Sequence, residues 1–121
     1  MRFNVTDEEL NAPMVEPGTY PARIDKVKDT SSQKGNPMFY VTWTLMGDAP
    51  PAGQKVFENF TMTPEAYWKL ADLFQATGFK STDGTGFDSM DLVGQVCRLV
   101  LVEDEYEGRK RAKVKTHLPM A

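Results

Sequence analysis

Five cations crowd one short stretch near the C-terminus: Arg109, Lys110, Arg111, Lys113 and Lys115. No carboxylate interrupts residues 109–117. In an extended chain, a row of like charge can follow a polyanion, because neutralising phosphates releases condensed counterions. Lys26, Lys28, Lys34 and Lys55 supply further cations earlier in the chain. Three rings, Tyr40, Phe57 and Tyr106, fall among polar neighbours. An exposed ring can stack on any base without reading sequence, each stack contributing roughly 1–3 kcal/mol. The plainer reading is a solvated basic strand balanced by the acidic run Glu103-Asp104-Glu105-Tyr106-Glu107. The residues alone leave both readings open.

Other chemistries find little material. One cysteine (Cys97) and one histidine (His117) cannot build a zinc finger or ribbon, and no disulfide can form within the chain. Gly84-Thr85-Gly86 lacks the third glycine and the Lys-Ser/Thr ending of a phosphate loop. His117, at the end of a basic strand, is expected at the surface and not as a general base. No nucleophile–base pair assembles, so no catalysis, cofactor or metal is expected. A nuclease would need clustered carboxylates and a divalent ion. The formal net charge of −3 excludes a uniformly basic coat but not a local basic groove. No apolar run approaches the roughly 18 residues of a membrane span, and no apolar signal core follows Arg2. A cytoplasmic protein is expected. Asn4-Val5-Thr6 and Asn59-Phe60-Thr61 match the glycosylation pattern, which carries no meaning without secretion.

The elements that position these residues follow from patterning. The 121 residues suit one core. Residues 1–17 read as an acidic arm, loosely ordered or docked, and 18–121 as the domain. A first strand is expected over about Thr19–Lys28, with a bulge near Asp25 that keeps Val27 inside and turns Lys26 and Lys28 outward. Residues 29–36 form a polar loop. Pro37–Leu45 alternates with period two: Phe39, Val41, Trp43 and Leu45 inside, Met38, Tyr40, Thr42 and Thr44 outside. Gln54–Met62 is a third strand. Val56 and Phe60 share a face with Glu58, which is placed near an edge or bulge, and Phe57 faces out. Thr63-Pro64-Glu65 starts a helix that Gly78 ends. Tyr67, Leu70, Ala71 and Phe74, widened by Trp68 and Leu73, are its expected core stripe. Asp91–Gly94 makes one helical turn. Gln95–Glu103 is nearly continuously apolar and reads as a strand covered on both sides, with Cys97 a small buried hydrophobe. An acidic hairpin loop leads to Arg109–His117, with Ala112, Val114 and Thr116 inward.

Strand, strand, strand, helix, strand, strand is the order of an all-β protein with one helix. The expected fold is a five-stranded OB-fold barrel whose helix, between strands 3 and 4, closes one end. An open α+β sheet is the rival.

Pro17-Gly18-Thr19-Tyr20, Lys34-Gly35-Asn36-Pro37-Met38, Asp91-Leu92-Val93-Gly94, Tyr106-x-Gly108 and Arg111-x-Lys113-Val114-Lys115 occur in that order. In this the chain, over about residues 17–119, resembles a family of small tailed-bacteriophage proteins long labelled a domain of unknown function and regarded as single-stranded-DNA-binding proteins with an OB fold. The resemblance implies a protein that coats and protects single-stranded DNA in phage replication or recombination, largely without sequence preference. Its general binding surface carries over to Lys34, Tyr106, Arg111, Lys113 and Lys115. Unlike many bacterial single-strand binders, the C-terminus, His117 to Ala121, carries no acidic tail to recruit partners. The expected nucleic-acid-binding set is Lys26, Lys28, Lys34, Tyr40, Lys55, Phe57, Tyr106, Arg109, Arg111, Lys113 and Lys115. Single-stranded DNA is the expected partner, with a homodimer and phage or host replication proteins as further ones. A barrel that binds another protein as a structural adaptor is the alternative.

Overall fold

A computed structural model describes residues 15–31, 33–48, 51–80, 86–106 and 108–120. Most of the N-terminal arm, including the first glycosylation match, and Gly84 and Thr85 of the glycine pair lie outside the described residues. Five strands form: β1 (Gly18–Ser31), β2 (Pro37–Leu45), β3 (Lys55–Thr61), β4 (Val96–Tyr106) and β5 (Arg109–Leu118). One helix, α1 (Tyr67–Thr77), lies between β3 and β4 after a 3₁₀ turn at Pro64–Ala66. The strands make one antiparallel sheet in the order β3-β2-β1-β4-β5. No hydrogen-bonded ladder joins β3 to β5 among the described residues, so the sheet is not closed into a barrel. Side chains span the gap instead: His117 of β5 meets Glu58 of β3 at 2.9 Å.

Two strands carry an extra residue, and such bulges bend a strand and increase its local twist. On β1 the register shifts between Ile24 and Lys26, which puts the bulge at Asp25 as expected. Ile24 and Val27 are both buried, and Lys26 and Lys28 are exposed. On β5 a second bulge falls at Lys115, opposite Val100 and Leu101. It inverts the alternation, so that Val114 and His117 both point inward. This second bulge corrects the expectation of a surface His117, which is 4% exposed.

The core is filled by Ile24, Val41, Trp43, Leu45, Phe60, Leu73, Leu92, Cys97, Leu99 and Leu101, with Val15 packed in from the end of the arm. The inner face of β2 is as the alternation requires, and Phe57 points outward beside Thr42. Met38, of outward parity, is nonetheless buried. A chain of rings links the sheet to α1: Phe39 stacks on Phe60, and Phe87 meets both Phe39 and Phe74 edge-on. Gly78 ends α1 at φ 74°, a left-handed cap that other residues enter at a cost.

Several elements depart from the sequence reading. β1 runs on to Ser31, which pairs with Pro37, so residues 29–31 of the loop expected over 29–36 are strand. Thr63 precedes Pro64, but its hydroxyl makes no capping bond, and a 3₁₀ turn comes before the α-helix. Of the expected stripe of α1, Leu70 and Leu73 are buried and Phe74 packs on the core, but Ala76, Lys69 and Asp72 also turn inward while Tyr67, Trp68 and Ala71 lie exposed. This orientation brings Lys69 to Glu58 and Asp72 to His117. The acidic run at 103–106 is strand and not loop. Asp104 faces Arg111 across the ladder at 3.8 Å, Glu105 faces Lys110, and Lys110 reaches diagonally to Glu103 at 3.3 Å; opposite charges across a ladder favour pairing. The outer side of β4 is only half covered: Val96 is exposed, and Val100 and Val102 are half-buried.

Candidate functional site

The outer face of β1, β2 and β3 is a grid fixed by register. Lys28, Tyr40 and Asn59 form one row, and Lys26, Thr42 and Phe57 the next. Tyr40 and Phe57 are therefore diagonal neighbours, roughly 7–8 Å apart along the backbone and within reach of a common ligand. Tyr40 is 40% exposed and Phe57 half-buried. Lys34 sits exposed in the turn that joins β1 to β2, where Gly35 takes φ 81°.

A third row, Arg23, Thr44 and Lys55, carries an acid at its edge. The bulged Asp25 accepts hydrogen bonds from Thr44 Oγ1 and from Arg23 Nε at 2.9 Å, with Lys55 Nζ at 3.4 Å. The Thr44 hydroxyl foremost, then Arg23 and Lys55, outweigh the effect of burial and hold the Asp25 carboxyl below its ordinary range. Lys55 is thus shared with Asp25, whereas Lys28 and Lys34 are exposed.

The cations of β5 do not join this face directly. Arg111 faces Asp104, and Lys110, opposite Glu105 in the ladder, reaches diagonally to Glu103. Lys113 and Lys115 are exposed and enter no ion pair among the described residues. They line an open groove with Trp68 and Lys69 of α1. The backbones of Tyr106 and Arg109 pair at the tip of the β4–β5 ribbon, and their side chains lie outside the described residues. The expected set therefore divides. Lys26, Lys28, Lys34, Tyr40, Lys55 and Phe57 share one face, and Lys113 and Lys115 share a groove beside α1. Trp68 was assigned to the core, yet it is 66% exposed.

Beneath the grid lies a polar cluster that the sequence reading missed. His117 Nδ1 lies 2.7 Å from Asp72 Oδ2, and Nε2 lies 2.9 Å from Glu58 Oε1. Ionised carboxylates only accept, so an arrangement in which both ring nitrogens donate favours the imidazolium form of His117. Trp43 Nε1 also donates to Glu58 Oε1, at 3.0 Å. Lys69 Nζ lies 3.5 Å from Glu58 Oε2 and 4.9 Å above the Phe60 ring. Asp72 further accepts from Thr116 Oγ1 and the His117 backbone N–H. Burial works to lower the His117 pKa, but hydrogen bonding and charge from Glu58 and then Asp72 overcome it and raise the value. Burial likewise works to raise that of Asp72, and the bonds from His117 and Thr116 outweigh it and lower the value. The ring is 1% exposed and reaches no surface ligand. Its contacts tie β3, β5 and α1 together under the outer face of the sheet. Cys97 is pushed up to about 12 by burial and by Glu58 and Asp72 nearby, and so stays a thiol.

Fold and face together describe a small β-sheet protein with a basic, ring-bearing outer surface. The chain belongs to the family described as "Protein of unknown function (DUF669)", which it matches over residues 3–121. No curated protein matches it. Among the described residues no helix is long and apolar enough to cross a membrane.

Proposed function

We propose that the protein is an OB-type single-stranded-DNA-binding protein of phage kind, which coats the strand without catalysis and largely without sequence preference, in replication or recombination. The strand order and the inter-edge Glu58–His117 bridge support an OB-like barrel closed by side chains. The observation that carries the function is the outer grid, where Tyr40 and Phe57 stand in adjacent rows that end on Lys28 and Lys26. Barrels of this kind hold single strands over strands 2 and 3. Rings would stack on bases while Lys26, Lys28 and Lys34 follow the phosphates.

The test is fluorescence anisotropy of a labelled oligo-dT of about 30 nucleotides, enough for more than one OB-type site, with an equal-length duplex as competitor. Binding should resist the duplex and weaken with salt, with a log–log slope of about −0.7 per phosphate contacted. A second reading is a protein-binding adaptor, favoured by Met90, Val93 and Val96, which expose apolar side chains in one short segment. It requires weak oligo-dT binding even at low salt.

A further inference from the structure

The groove between α1 and β5 is not part of the grid, yet the two are contiguous. Lys69 Nζ donates to the backbone carbonyl of Asn59 at 2.6 Å. Asn59 ends the row that starts with Lys28 and Tyr40. The first turn of α1 therefore abuts that row, and Trp68 stands next to Lys69 with two thirds of its surface in water. A tryptophan left this exposed on α1, one residue from a half-buried lysine, is unused by the core.

Beyond Trp68 the groove continues to Lys113 and Lys115 of β5. Its two carboxylates, Glu103 and Asp104, are answered by Lys110 and Arg111. Lys69 is held by Glu58 and the Asn59 carbonyl. Lys113 and Lys115 are left as the cations available to an outside anion. An apolar ring next to two such lysines matches a base and its phosphates, the same pairing of chemistry as on the grid.

We propose that a bound single strand leaves the β1–β2–β3 face over the first turn of α1 and runs along β5. Trp68 stacks on a base there, and Lys113 and Lys115 take phosphates. The inference rests on the single-strand reading above and adds a path and a second stacking platform to it. It also gives the β5 cations a role that the separated faces would otherwise deny them.

The chain has two tryptophans, and Trp43 is fully buried, so a ligand-induced change in emission reports Trp68. Oligo-dT of about 30 nucleotides, added to the full chain, should quench that emission. Trp68→Ala, a surface change that leaves the core intact, should abolish the quenching and weaken binding about 5- to 150-fold, the equivalent of one base stack. Lys113→Gln and Lys115→Gln should each lower the salt slope by about 0.7. If oligo-dT binds but leaves the emission unchanged, and Trp68→Ala binds as the parent does, the path is wrong and the grid reading stands. If oligo-dT does not bind even at low salt, both fall together.

Discussion

Replacing His117 by alanine removes the centre of a buried charge cluster, and the consequences follow from its geometry. Glu58 and Asp72 each lose a charged hydrogen-bond partner, at 2.9 and 2.7 Å. Glu58, 3% exposed at its side chain, keeps only the Trp43 N–H and a lysine at 3.5 Å. Removing one partner of such a buried pair costs about 3–5 kcal/mol. That is a large share of the roughly 5–15 kcal/mol that holds a domain folded. At this chain length it corresponds to a fall in Tm of about 10–20 °C. The cluster also sets a pH profile. The His117 pKa is raised above its ordinary 6.5, so the stability it contributes is full below about pH 6.5 and is lost as pH rises through the folded value. The Asp72 pKa is lowered from 3.8, so its contribution is present above about pH 3.8 and is lost as pH falls through the folded value. Stability should peak in the mildly acidic range between them. Urea unfolding of the parent and of His117→Gln, followed at pH 5.5 and 8.5, measures both effects. The parent should lose more stability between these pH values than the variant does. Equal losses, or a cost of His117→Ala under about 1 kcal/mol, would refute an imidazolium tie between β3, β5 and α1.

Further outcomes are expected elsewhere. Tyr40→Ala and Phe57→Ala should each weaken oligo-dT binding by about 1–3 kcal/mol. For the exposed Tyr40 the Tm should barely move, as thermal melting will show. Gly78→Ala forces a side chain into φ 74° and should cost about 1–2 kcal/mol of stability, read from the urea midpoint. Cys97 should resist iodoacetamide in the folded protein at pH 8 and react once urea unfolds it, because burial keeps it a thiol.

The strands and their faces were legible where the alternation was unbroken, as along β2. The bulge at Asp25 was legible too, because Ile24 and Val27 could not otherwise share the interior. The bulge at Lys115 was not, since Val114 and Thr116 alternate acceptably without one. That hid His117, and with it the partner that lets Glu58 point inward. Glu58 had given a signal: it shares parity with Val56 and Phe60 on what is an edge strand, where an inward charge guards against edge pairing. The helix misled for the same reason. Lys69 and Asp72 take inward positions to serve Glu58 and His117, which a hydrophobic stripe does not foresee. Trp68 was thereby counted as core. The acidic run at 103–106 looked like loop because its pairing with Lys110 and Arg111 depends on a register visible only in the fold.

The most direct test of the account is a two-dimensional ¹⁵N amide spectrum of the full chain titrated with oligo-dT. The largest shifts should fall on Lys26–Lys28, Tyr40–Thr42 and Phe57–Asn59, the outer grid of β1, β2 and β3. Shifts confined to Met90–Val96, or none at saturating oligo-dT, would contradict a single-strand-binding role for this face.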